Sequence, residues 1–152
     1  MREILFRGKR FSNEEWVIGG IMKTFHPNYY CDNEKDFFSQ KPNCYCICAN
    51  NKDYCVEQSS VGQYTGLTDK NGKKIFEGDI GRYKQTDGAK WNGKPIICTG
   101  KVIYNTKTAS FAVDSIDEIG AKNYDYFPIK DFEVIGNIHD NPELLKSGAE
   151  DE

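Results

Sequence analysis

The chain predicts a strand-rich fold, and three observations carry that expectation. Short runs of β-branched and aromatic residues recur along it, turn signals rich in Gly, Asn and Asp separate them, and the composition supplies 14 glycines and a 13% aromatic share. At 152 residues the chain fits one domain with a small appended lobe and is long enough to bury a core of Phe, Tyr, Ile and Val.

Glu3 to Arg7 reads as a first short strand, with Gly8-Lys9-Arg10 and Ser12-Asn13 turning into a second from Glu15 to Thr24. Gly19-Gly20 inside that run suggests a bulge or a close backbone crossing. From His26 to Pro42 the chain is polar and punctuated by His26-Pro27-Asn28 and Lys41-Pro42-Asn43, which predicts a loop-rich stretch. Cys44 to Ala49 alternates as a strand should, Tyr54 to Glu57 follows as another, and Asn50-Asn51-Lys52-Asp53 supplies the hairpin turn between them.

Val61 to Ile80, VGQYTGLTDKNGKKIFEGDI, is the most informative segment. Asp69-Lys70-Asn71-Gly72 is a strong turn signal, because Asn-Gly supplies the positive φ that a tight reversal needs. Strand character resumes at Lys74-Ile75-Phe76, breaks at Glu77-Gly78-Asp79 and continues from Ile80 to Lys84. Carboxylates beside such a glycine corner commonly accept backbone N–H bonds, so Glu77 and Asp79 read first as corner residues and second as an acid/base or cation pair.

Thr86 to Pro95 is a loop by composition, within which Trp91 is either a lid over the core or an exposed contact. Further strands are expected at Ile96 to Tyr104, Ser110 to Ser115, Asp125 to Pro128 and Phe132 to Ile135. Asn141-Pro142-Glu143 reads as N-cap, first helical position and acidic first turn of a short helix reaching Lys146. The remaining SGAEDE is a small, acidic tail expected to be disordered.

MREILFRGKR, Glu15-Trp16-Val17 with Gly19-Gly20, the VGQYTGLTDKNGKKIFEGDI block, Lys101-Val102-Ile103-Tyr104 and EVIGNIHDNPELL, in that order, together resemble the YopX family of bacteriophage and prophage proteins. The resemblance implies an all-β fold, a small SH3-like or related closed or partly open barrel, to which the residue patterns above add an N-terminal β-rich lobe and a short C-terminal helix. Residues 1–145 then form a single domain, 1–60 the lobe and 61–145 the barrel-like core, followed by the tail 146–152. The family supplies no catalytic residues to carry over. This chain departs from its pattern at Gly81, where Val or Ile is usual, which predicts a packing gap or a bulge.

The net charge of −3 is unevenly spread: residues 1–60 balance, 61–107 carry +5 and 108–152 carry −8. Such blocks mark a nucleic-acid surface, an internal pairing of charges, or solvated faces. No run approaches the roughly 18 apolar residues of a membrane span, and MREILFRGKR lacks a secretory pattern, so a cytoplasmic protein is expected. Cys44, Cys46 and Cys48 would place their sulfurs on one strand face about 7 Å apart, unlike a C-x-x-C knuckle. Cys31, Cys55 and His26 could complete a metal site, but free thiols are the preferred reading, and no metal or cofactor is assigned.

Neither His26 nor His139 sits in a recognisable nucleophile arrangement, and P-loop, G-x-G-x-x-G, G-x-S-x-G and H-E-x-x-H motifs are missing. The preferred expectation is a non-enzymatic accessory protein that contacts a host or phage protein. The alternative is a small-barrel nucleic-acid module using basic and aromatic residues of the middle segment. An enzyme would have to draw on Glu77, Asp79 and His139. The contact residues expected on either leading reading are Tyr64, Lys73, Lys74, Arg82, Tyr83, Lys84, Trp91 and Lys101. Exposed strand edges also predict homo-oligomerisation.

Overall fold

The computed structural model describes residues 3–24, 44–85 and 90–145. The chain divides into two compact units, Met1–Tyr64 and Thr65–Glu152. His26, Cys31, the loop-rich stretch and the acidic tail fall outside the described residues.

In the first unit β1 (Phe6–Lys9), β2 (Trp16–Thr24), β3 (Cys44–Ala49), β4 (Lys52–Val56) and the start of β5 (Gly62–Thr68) are hydrogen-bonded in the order β4-β3-β2-β1-β5. β3 and β4 reverse through Asn50 and Asn51, whose φ angles of 52° and 61° are those of the left-handed turn that matches strand twist. Gly19 is a close approach without a register shift: a Cβ there would lie 2.0 Å from the Cys48 carbonyl oxygen. Ser60 locks the following 3₁₀ turn, Gln58–Ser60, by accepting the Lys9 N–H and donating to the Glu57 carbonyl, both at 2.7 Å. Cys46, Ile47, Cys55 and Val56 are buried, with the Cys46 and Cys55 sulfurs 3.5 Å apart across β3 and β4, whereas Cys48 is exposed. Cys46 and Cys48 are free thiols as expected, but Cys55 is disulfide-bonded, which corrects the free-thiol reading there.

In the second unit β5 runs on beside β6 (Lys74–Phe76), and β7 (Asp79–Lys84), β10 (Ile97–Asn105), β11 (Ser110–Asp117), β12 (Lys122–Tyr126) and β13 (Glu133–Asn137) form a five-stranded sheet. Its order, β12-β11-β10-β7-β13, is antiparallel throughout. The intervening β8 (Lys90–Trp91) and β9 (Lys94–Pro95) make a small hairpin through Asn92 and Gly93, at φ 51° and 76°, where a plain loop is expected from composition. Asn-Gly is the same signal that marks the β5–β6 turn, and it acts here on strands of two residues each.

The sheet has two faces because its strands alternate. Tyr83, Cys98, Val102 and Val113 point to one side and pack with Ile75, Ile129, Phe132 and Val134 as a hydrophobic core. Arg82, Lys84, Thr99, Asp114 and Ile116 take the intervening positions on the other side. Phe132 lies directly over Gly81, whose added Cβ would fall 1.9 Å from the ring, so the expected gap is filled by an aromatic. The bulge lies on the partner strand, between Val134 and Gly136.

The all-β class holds, but the described sheets do not close into a barrel, because β12 and β13 remain edges of an open order. Tight closure needs the first and last strands to meet, and here the Asp69 turn occupies the outer edge of β13. Asp69 Oδ2 accepts the Val134 N–H at 3.0 Å, and the Phe132 carbonyl accepts the Lys70 N–H at 2.9 Å. The expected C-terminal helix is a single 3₁₀ turn, Pro142–Leu145, whose Leu144 N–H reaches the Asn141 carbonyl. No helix among the described residues is long and apolar enough to cross a membrane.

Candidate functional site: the outer face of the five-stranded sheet

Register builds one surface from four strands. Arg82 stands opposite Thr99 and Lys84 opposite Ile97, while Thr99 in turn faces Ile116 and Lys101 faces Asp114. Asp114 continues to Tyr124 and Ile116 to Lys122 on β12. Directly paired residues of an antiparallel sheet share a face, so these side chains lie together.

Where the 3₁₀ turn Pro142–Leu145 lies beside this face, a groove of about 350 Å³ opens. Ile97, Ile116, Leu144 and Leu145 supply its apolar walls, and Arg82, Thr99, Asp117 and Glu118 its polar ones. Asp117 is committed to its turn: Oδ1 accepts the Ile119 and Ala121 N–H groups at 3.2 and 2.7 Å, and Oδ2 accepts the Asn123 amide at 3.2 Å. Arg82 and Glu118 are exposed and leave the groove a cation and an anion for a ligand.

The sequence-predicted contact residues are only partly brought together. Arg82, Lys84 and Lys101 share the outer face, although Lys84 Nζ lies 3.6 Å from Asp131 Oδ2. Tyr83 is a correction, because strand alternation turns it inward, where it is 2% exposed. Tyr64 is likewise buried, at 7% exposure, within the first unit. Lys73 and Lys74 flank the β5–β6 turn, and Trp91, 55% exposed on the β8–β9 hairpin, is no lid. Sequence reasoning missed Lys122, Tyr124 and Tyr126, which extend the outer face; their signal was the alternation of KNYDY.

The inner face carries a polar cluster. The Tyr83 hydroxyl lies 2.8 Å from Ser115 Oγ and 2.6 Å from Asp125 Oδ2, and the Asn123 amide approaches Cys98 Sγ. Burial pushes the Cys98 thiol up to about 11, reinforced by the Asp125 and Asp117 charges, and burial also raises the Tyr83 phenol. Both groups are thereby held protonated at neutral pH.

Glu77 and Asp79 sit at the corner expected of them. Asp79 is 1% exposed and its Oδ2 accepts the Phe76 N–H at 2.8 Å. The His139 turn is adjacent, since the Ile138 N–H donates to the Gly78 carbonyl at 2.9 Å. Asn137 holds that turn by accepting the His139 and Asp140 N–H groups through its Oδ1. Among the described residues no group of three or more His, Cys, Asp or Glu side chains could hold a metal ion.

Fold and site together define an all-β protein of open antiparallel sheets with a mixed apolar and charged groove on a sheet face. The YopX protein family profile matches residues 5–146, and the chain belongs to that family. Among solved structures, it is similar to the crystal structure of protein EF1440 from Enterococcus faecalis, at 21% identity and a TM-score of 0.42, over 95% of this chain and 99% of that one. No curated protein matches.

Proposed function

We propose that the protein is a non-enzymatic, phage- or prophage-encoded accessory protein of the cytoplasm that works by binding another protein through the groove on the outer sheet face. The observation that supports this reading most is the groove's make-up: four aliphatic walls beside one arginine and one glutamate. An apolar side chain of a partner would be desolvated between Ile97, Ile116 and Leu144, while Arg82 and Glu118 orient its flanking polar groups. The phage setting is supported by the resemblance of the sequence blocks. Capture of a partner from nuclease-treated lysate by the wild-type chain, and its loss with Ile116→Asp and Arg82→Glu, is the expected result. Equal capture by both variants would remove the groove from the function.

A nucleic-acid reading is favoured by a separate observation, the exposed Tyr124 and Tyr126 on the same face as Arg82, Lys101 and Lys122. Bases would stack on the tyrosines and phosphates would meet the cations. That reading requires retention on single-stranded nucleic acid that weakens steeply with salt, and an unretained protein at low salt eliminates it.

A further inference from the structure

The two edges of the five-stranded sheet are treated differently. β13 has its outward edge occupied by the Asp69 turn, through the Val134 N–H and the Phe132 carbonyl. Among the described residues no strand pairs with β12 on its outward side. The Asp117 N–H bonds to the Ala121 carbonyl and the Phe127 N–H to the Phe111 carbonyl, which sets the phase of the whole β11–β12 ladder. Residues 121, 123, 125 and 127 therefore turn their backbone groups toward β11, and Lys122, Tyr124 and Tyr126 turn theirs outward. These three are also exposed in their side chains, with Tyr124 at 42% and Tyr126 at 47%.

An open row of N–H and C=O groups is a template for another strand, and the identity of that strand is set by what it would place opposite each residue. We infer that the occupant is β12 of a second copy of this chain, paired antiparallel about a two-fold axis at Tyr124. In that register Tyr124 faces Tyr124 of the second copy, Lys122 faces Tyr126 and Asn123 faces Asp125. No like charges meet. Each of the outward-facing pairs exchanges both of its backbone hydrogen bonds. Tyr124 and Tyr126 already contact edge to face at 5.4 Å, and pairing joins them to the same pair from the second copy. The Lys122 ammonium lies over the opposing Tyr126 ring. Asp125 stays with Tyr83 on the inner face, so the pairing costs no internal bond.

The interface is a continuous sheet across two copies. It does not use the groove walls Ile97, Leu144 and Leu145, and it stands or falls independently of the proposed partner.

The register at Tyr124 gives a test with its own control. Sedimentation of the full chain over a range of concentrations should show twice the chain mass, with dissociation on dilution. Tyr124→Lys and Tyr124→Glu each place like charges face to face, and each should sediment at the chain mass with an unchanged far-UV spectrum. An equimolar mixture of the two variants should recover the doubled mass. Arg82→Glu, in the groove, should leave the mass unchanged. A wild-type chain that stays single at all concentrations, an assembly that both Tyr124 variants preserve, or a mixture that fails to reassociate would each overturn the inference.

Discussion

Tyr83 and Asp125 are joined by a 2.6 Å hydrogen bond although two strands, β10 and β11, lie between theirs. The phenol crosses the inner face diagonally, and Gly100, which stands between Gly81 and Ser115 in register, places no side chain in its way. Replacing Tyr83 by Phe removes the donor to the half-buried Asp125 carboxylate and the acceptor of the buried Ser115 hydroxyl. The expected loss is about 1–3 kcal/mol in urea unfolding, the range for leaving a buried polar group unsatisfied, with the slope unchanged. A wild-type midpoint in Y83F would show that water replaces the bond freely.

Gly81 and Phe132 form the tightest steric pair on that face, since an added Cβ would lie 1.9 to 2.6 Å from the ring carbons. Gly81→Ala should destabilise by about 1–3 kcal/mol through overpacking. Phe132→Ala should cost about 3–5 kcal/mol through the cavity it leaves. The double variant should be more stable than the sum of the single losses predicts, because each change relieves the other. Strict additivity would mean that the ring moves aside at little cost.

What could be read before the structure was local. Asp69-Lys70-Asn71-Gly72 carries its turn in its own residues, and Asp79 accepts the Phe76 N–H three residues back, so both are legible in the sequence. The burial of Tyr83 was not, because its basic neighbours Arg82 and Lys84 suggested a contact surface while long-range register decided which face it took. The same holds for Gly81, whose filling residue Phe132 comes from a distant loop. The groove is not legible in the sequence because its walls come from β10, β11 and the 3₁₀ turn, segments that meet only through tertiary packing. Asn92-Gly93 is the opposite case, a legible turn signal inside a stretch that reads as loop by composition, joining strands of only two residues each.

Asp69 links stability to pH. Burial alone would raise its carboxyl, but the Val134, Lys73 and Asn71 N–H groups together outweigh burial and hold it below its ordinary 3.8. A depressed folded value means that its stabilisation is complete above the ordinary value and is lost as pH falls through the folded one. Glu133, held down by its Lys70 partner, shifts in the same direction from an exposed position. Asp69→Asn cannot present an oxygen both to the turn and to Val134, so it should be less stable near neutrality. It should also lose less stability than wild type between about pH 5 and about pH 2. Parallel pH profiles for the two proteins would contradict the assignment.

Thiol chemistry separates the two faces of burial. Cys98 is fully buried and its thiol is raised to about 11, first by burial and then by the nearby Asp125 and Asp117 charges. Cys48 is exposed, and its thiol is raised from 9.0 chiefly by its hydrogen bond to Asp53. The thiolate is the reactive form, so access and ionisation both disfavour Cys98, whereas ionisation alone slows Cys48. In the folded protein, iodoacetamide followed by mass spectrometry should modify Cys48 and spare Cys98, and denaturant should abolish the difference. The rate at Cys48 should climb about tenfold per pH unit below its ionisation. Asp53→Asn should speed that reaction at neutral pH by lowering the thiol. Labelling of Cys98 at a rate matching Cys48 would show that the core of the second unit opens far more readily than its packing implies.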